Sequence, residues 1–505
     1  MLTAIHSGIR LGGDKPALLG RCVVVASWYR DPAIDRSVFA PYVHDIGSMW
    51  SSNYGVRMMK TVRLGACMVG LVALAATAAV AAPASADTTP ASATDSFARN
   101  VGATFLDNQM KLGDLKTWIT TQPGWQEAGY VDQVNDAAHL STKLLWAGDS
   151  PLREQAVAKA KSLGISASIE ERPLTLPQIF EAQRKIEASK DRLAAAGFTL
   201  TGVIGVQEDT TDLVATGTFT SAPATTRQRQ TVTSSVDSTL DSIAGVPVTL
   251  NAGVKTAPAV GRTTAGSAKA AAVSTRQSDA APHSAGALMS SGGEICSSGL
   301  SVVLNGTEGR ATTARHCDQT ATWSPVSGGG STFGKKAQNS PNGAATMLTA
   351  RGTNLAYDGE WDNSVGYSKL VAKNFTPSLN DLVCTGGGNS GEHCNIKVTS
   401  TAYAWNDGFG SVLTFLGTQQ TAGGIADIQG DSGGPLIALY GVQSGQVAAA
   451  GMIRGIFSDS THPFMTGSKC GRAYSLGSNQ CSAIGIFTSM TQIVDRWSGV
   501  TVNTN

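Results

Sequence analysis

The sequence predicts a mainly β chain preceded by a small α/β unit, on three observations. Charged residues are 15% of the chain while glycine numbers 57, the balance of an exported, turn-rich β protein. Beyond residue 293, short alternating apolar runs are separated by Gly- and Asn-bearing turns. Six of the 8 cysteines, Cys296, Cys317, Cys384, Cys394, Cys470 and Cys481, lie in that same stretch, and none falls between Cys67 and Cys296. A length of 505 residues implies two or three units, because single cores rarely grow so large. The net charge of +1 leaves no basic surplus to neutralise phosphates, so no nucleic-acid partner is expected. No Cys-x-x-Cys spacing marks a zinc site, and no metal or organic cofactor is expected.

Taken in order, residues 1–57 are mixed and weakly periodic and read as an upstream extension. Met58-Met59-Lys60-Thr61-Val62-Arg63 then opens a basic segment, an apolar run from Leu64 to Ala82 follows, and Ala84-Ser85-Ala86 ends it. That is the order of a signal peptide, 58–86, with translation expected to begin at Met58 or Met59 and cleavage after Ala86. The apolar run also has the length of a membrane span, but its Ala/Gly content and terminal cleavage motif favour a removed leader, with no stable membrane anchor.

Residues 87–253 contain the α/β unit. Helical periodicity appears around 106–118 and 151–163, and Ile165 to Ile169 is a strand candidate. Thr175 is placed to cap a helix from Leu176 to Ala196, with Pro177 early and Gly197 just past the end. Phe198 to Val206 and Leu213 to Phe219 read as a hairpin. Residues 254–292, rich in Ala, Ser, Thr and Gly, read as a linker. Arg262, Lys269 and Arg276 stand in it as exposed processing points, which places a mature N-terminus within 262–293.

The last stretch, 293–505, carries the chemistry. Leu300, Val302 and Leu304 alternate, Asn305-Gly306-Thr307-Glu308-Gly309 turns the chain, and Arg310 to Thr313 returns towards Thr313-Ala314-Arg315-His316-Cys317. Much later, Gly430-Asp431-Ser432-Gly433-Gly434-Pro435 sets a serine in a glycine-rich turn, where backbone N–H groups are free to point outward. A serine hydroxyl needs a base to become a nucleophile, and outward N–H groups are what a developing oxyanion needs. Taken alone, such a turn is most often a plain loop, and a His before a Cys is most often core.

Together and in this order, the two motifs resemble the chymotrypsin-like serine proteases, in particular the secreted bacterial members of the streptogrisin and alpha-lytic type. The resemblance covers roughly 290–505. It implies a double antiparallel β-barrel, with His316 as general base to Ser432 and the N–H groups of Gly430 and Ser432 as oxyanion hole. It also implies a pro-region in 87–253 as an intramolecular partner, useful because non-local β pairing folds slowly. The cysteine pairing Cys296–Cys317, Cys384–Cys394 and Cys470–Cys481 is expected, the first matching the family's bridge beside the catalytic His. A polypeptide substrate and a monomeric secreted enzyme follow.

Two parts of the pattern depart from the family. Its orienting acid would align with Ala344 in Asn342-Gly343-Ala344-Ala345, where no acid stands. Asp362 is the nearest loose fit, while Asp358, before Gly359, reads as a turn residue. Asp431 is expected to pair with a buried cation, Arg454 being one candidate. The specificity pocket is expected at Ala426, Met452 and Arg454, with Ala426 arguing against a strict Lys/Arg preference. Two functions follow: a secreted serine endopeptidase, or, if no acid reaches His316, an inactive homologue serving as a binding protein. Finally, Ser489 and Gln492 read as the cap of a short helix bearing Met490, Ile493 and Trp497 and ending at Gly499.

Overall fold

A computed structural model describes residues 92–221, 225–263, 276–317, 320, 322–327, 329–362, 368–441 and 445–504. The upstream extension, the signal segment and Lys269 lie outside the described residues.

The α/β unit begins with helices Ala93–Val101 and Ala103–Thr120. Strands Tyr130–Asp136 and Ser141–Trp146 pair antiparallel, and helix Pro151–Ser162 carries the chain over to strand Ser166–Glu171, parallel to the second. Thr175 caps the next helix through a complete capping box with Gln178. That helix does not run unbroken to Ala196: it stops at Ala188 and resumes as Lys190–Ala195, because Ser189 takes φ −102°, ψ 15°. Ile186 and Leu193, on either side of the break, are buried in one cluster. The hairpin Phe198–Gln207 and Leu213–Phe219 follows, then helix Thr226–Ala244 and strand Val248–Ala252 parallel to the hairpin's second strand.

The C-terminal β region has two bodies. In the first, Gly299–Leu304 and Glu308–Ala314 form a hairpin across Asn305, which turns with φ 52°, and Ala345–Tyr357 pairs with its second strand. Leu300, Val302, Ala311, Met347 and Leu348 face its core. The second body is a ring. Strands Leu382–Gly387, Gly391–Asn406, Ser411–Gln419, Ile484–Ser489, Gln446–Ser458 and Pro435–Leu439 each pair antiparallel with the next, and the last returns to the first. A closed ring fills its interior with alternate side chains, here Val383, Ile396, Leu436 and Phe487. The three cysteine pairs are disulfides: Cys296–Cys317, Cys384–Cys394 and Cys470–Cys481. Ser489 caps helix Met490–Val494, which ends at Asp495 rather than Gly499.

The linker expected at 254–292 is largely built into the fold. Lys255–Pro258 and Gly261–Arg262 are strands, and His283–Ala285 and Leu288–Ser291 belong to the β region. Arg276 is buried and donates to the Gly286, Gly387 and Gly359 carbonyls, so it is not an exposed processing point. Small residues bury little apolar surface of their own, but an extended backbone laid in a groove is held by ladder hydrogen bonds instead.

The α/β unit is joined to the ring by strand pairing. Phe198–Gln207 runs antiparallel to Gly391–Asn406, with Ile204 opposite Tyr403 and Gly202 opposite Trp405. The approach is tight: a Cβ on Gly202 would stand 2.6 Å from the Ala404 carbonyl. Gly202→Val is therefore expected to weaken the joint by about 1–3 kcal/mol through overpacking, read as a lower urea midpoint of the full chain. Asp358 is not a plain turn acid. It is buried and accepts from the Thr94 hydroxyl at 2.5 Å, tying the first helix to the β region.

Candidate active site

The glycine-rich turn does what its composition suggests. Gly430 sits at φ 107°, a conformation open chiefly to glycine, and this aims its N–H and that of Ser432 at one point. The oxygen at that point belongs to the chain itself: the Ala259 carbonyl accepts from Gly430 N at 2.6 Å and from Ser432 N at 3.1 Å. The turn is anchored by Asp431, which accepts from Asn389 N, Ser390 N, Ile428 N and the Ser390 hydroxyl. Of the buried cations, Arg276 acts on Asp431 through its charge, while Arg454, the candidate named from the sequence, pairs with Asp407 instead. Burial lifts the Asp431 carboxyl to about 6 against the pull of those donors.

His316 lies in the short 3₁₀ turn Arg315–Cys317 that follows strand Glu308–Ala314, and the Cys296 disulfide pins the turn's last residue. Its Nε2 is 2.5 Å from Ser432 Oγ, and its Nδ1 is 2.8 Å from Asp407 Oδ2. Since a carboxylate only accepts, Nδ1 carries the proton and Nε2 is left free to accept from the serine hydroxyl.

Asp407 is the carboxylate that meets His316, and sequence reasoning did not single it out. It sits in the turn between strands Gly391–Asn406 and Ser411–Gln419 of the ring. Gly408 at φ 95° closes the turn, with its N–H bonded to Asn406 Oδ1 at 2.9 Å, and Phe409 N bonds Asp407 Oδ1 at 3.1 Å. Arg315, next to His316, stacks its guanidinium 5.3 Å from the Phe409 ring and ties the turn to the histidine. The signal in the sequence was Asp407-Gly408, the same dipeptide as Asp358-Gly359. Asp362, the residue expected here, instead pairs with Arg472 at the surface. Ala344, at the family's acid position, contributes only a carbonyl.

That carbonyl accepts from Arg454, whose guanidinium also donates to Asp407. The Arg454 side chain is fully buried and turned towards Asp407, so it does not line a pocket, while its backbone carbonyl faces the cleft and accepts from Ala259 N at 3.1 Å. Met452 also departs from the expected pocket, packing in the core of the first β body. Of the three, Ala426 alone shares a cluster with Ala259, together with Leu436 and Ile453.

The charges are arranged for base chemistry. Burial pushes the His316 imidazole below its ordinary value and Arg454 pushes the same way, with the hydrogen bond that His316 donates to Asp407 opposing both. Against its own burial, the bond from His316 and the charge of Arg454 hold the Asp407 carboxyl at about 2. The acid is thus ionised, and the histidine neutral, across the neutral range.

Among the described residues, Cys384, Glu392 and Cys394 are near enough to one another to bind an ion, but the two sulfurs are joined in a disulfide. No protein-family model and no curated protein matches the chain. Among solved structures the chain is similar to a Nocardiopsis protease, at 18% identity over 44% of this chain and 98% of that one, with a TM-score of 0.29. Thermobifida fusca protease A is 22% identical over 44% of this chain and 98% of its own, with a TM-score of 0.29. A glutamic acid-specific serine protease is 23% identical over 43% of this chain and 98% of its own, with a TM-score of 0.30.

Proposed function

We propose that the protein is a secreted serine endopeptidase made as a precursor, with 87–253 as its pro-region and 293–505 as its protease domain. The observation that carries this is one continuous chain of contacts, Asp407 to His316 to Ser432, beside two N–H groups converging on a carbonyl oxygen. Ser432 Oγ attacks the substrate carbonyl while His316 Nε2 takes its proton. Gly430 and Ser432 N–H groups receive the charge that builds on the oxygen. His316 then hands the proton to the leaving amine, and water repeats the sequence on the acyl-enzyme. Asp407 holds the tautomer and steadies the imidazolium. No step calls for a metal or organic cofactor. The alternative, an inactive binding protein, rests on a missing acid, and the contact of Asp407 with His316 speaks against it.

Secretion is supported by the three disulfides, which persist in oxidising compartments. No helix among the described residues is long and apolar enough to cross a membrane.

A fluorophosphonate probe reacts with activated serines and tests the assignment. Ser432 of the exported, processed protein is expected to be labelled. His316→Ala is expected to abolish labelling, and Asp362→Asn to leave it unchanged. An unlabelled but folded processed protein rejects the protease reading.

A further inference from the structure

We propose that the α/β unit is a working part of the catalytic site: it holds the hairpin that carries Asp407, and it must stay seated for His316 to be oriented. This deepens the protease reading and rests on it. Asp407 stands at the tip of an arm that leaves the ring. Strand Gly391–Asn406 pairs with Leu382–Gly387 only as far as Lys397, and Ser411–Gln419 pairs with Ile484–Ser489 only from Phe415 on. Beyond those points, among the described residues, the arm's two strands pair with each other and with one more strand, Phe198–Gln207 of the α/β unit. A two-stranded arm is marginal in water, and a third strand steadies it. That pairing runs from Ser400, opposite Gln207, to Trp405, opposite Gly202, and so stops just short of the acid.

Side chains of the unit grip the arm on both of its strands. The arm bulges between Ser400 and Tyr403, where Ala402 takes φ 54°. A residue with a Cβ keeps that conformation only where its surroundings hold it. Here Gln183 does so: buried on helix Leu176–Ala188, its Nε2 donates to the Ala402 carbonyl and, at 2.8 Å, to that of Val203. A bulge re-aims the strand beyond it, and the strand beyond this one leads to Asp407. On the returning strand, the Ser411 hydroxyl donates to Glu187 of the same helix. Tyr403 and Trp405 pack in one cluster with Ile204 and Val214 of the unit and with Phe457 and Ile486 of the ring.

The turn at the tip then meets His316, Arg454 and Arg315. Those contacts form only if the tip arrives in place, and a misplacement of about 1 Å in a catalytic site can cost about a hundredfold in rate. Gln183 and Glu187 are therefore positioning residues that act through the arm.

The test reads the His316 Nδ1–H directly. In the full chain carrying Ser432→Ala, so that no proteolysis intervenes, and with isotope-labelled histidines, the Nδ1–H bonded to Asp407 is expected as a low-field proton resonance. Gln183→Leu keeps the size of the side chain and removes its donor. It is expected to speed exchange of that proton with water at least tenfold, as is Gly202→Val, which parts the strands. Thr94→Val removes a bond that joins the unit to the β region through Asp358 rather than through the arm, and is expected to leave the exchange rate unchanged. Glu187→Ala is expected to raise the rate, and Glu187→Gln, which still accepts from Ser411, to restore it. The second reading is the rate of fluorophosphonate labelling of Ser432 in the exported, processed protein. Gln183→Leu is expected to slow it at least tenfold, whereas loosening a unit that merely covers the cleft would speed it. If Gln183→Leu and Gly202→Val lower the urea midpoint but leave exchange and labelling unchanged, or if labelling speeds up, the proposal is overturned and the protease reading stands. A folded, processed wild-type protein in which Ser432 takes no label overturns both.

Discussion

Asp407→Asn is expected to lower kcat by about 10⁴, and Asp362→Asn to leave it unchanged. The reason is the direction of one hydrogen bond. The Asp407 carboxylate can only accept, so the proton it faces stays on His316 Nδ1, 2.8 Å away. An asparagine amide in its place can present its NH₂ to Nδ1. That favours the tautomer protonated on Nε2, and an Nε2–H cannot take the proton of Ser432. The side chain keeps its size, so the turn at Gly408 and the contact of Arg315 with Phe409 should persist. Steady-state hydrolysis of a peptide with alanine on the acyl side, corrected for active sites by burst titration, measures the effect. If Asp407→Asn keeps wild-type kcat, another group orients the histidine.

The uneven legibility of this site has physical causes. The serine turn and the histidine turn could be read because each is local: a few residues fix the backbone, and beside the histidine Cys317 fixes the rest. The nearest-neighbour cysteine pairs were legible for the same reason. The acid was not, because its role is set by which of two β bodies supplies it. Position along the chain pointed to Ala344 in the first body, while the structure brings Asp407 from a hairpin of the second. In sequence, Asp358-Gly359 and Asp407-Gly408 are the same turn signal. One carboxylate ties down a helix through Thr94 and the other meets His316, a difference that only the strand pairing decides. The segment around Ala259 misled through composition. Its small residues report little core of their own, but its burial comes from the groove it occupies.

The relocated acid brings Arg454 with it, and Arg454→Met is expected to separate two things this cation does. Arg454 and the Asp407 side chain are fully buried, and the guanidinium bridges the acid and the Ala344 carbonyl. Removing one partner of such a pair leaves a charge without compensation, and about 3–5 kcal/mol of stability should be lost, read from urea unfolding. Methionine keeps much of the volume, so cavity formation adds little. The backbone carbonyl that receives Ala259 N is untouched. The second effect is on the pH profile. In the wild type, burial first and then the Arg454 charge hold His316 below its ordinary value of about 6.5. The base form therefore survives below that pH, and kcat/KM should fall only as pH drops through the lowered value. Without the cation His316 protonates more readily, so the acid limb of kcat/KM should move to higher pH. Arg454→Lys keeps the charge and should restore the limb, while its single ammonium cannot match the planar fork that reaches two acceptors, so stability should recover only in part. A purely structural arginine would give the stability loss with the limb unmoved. A limb that shifts with methionine and returns with lysine ties the cation to the base.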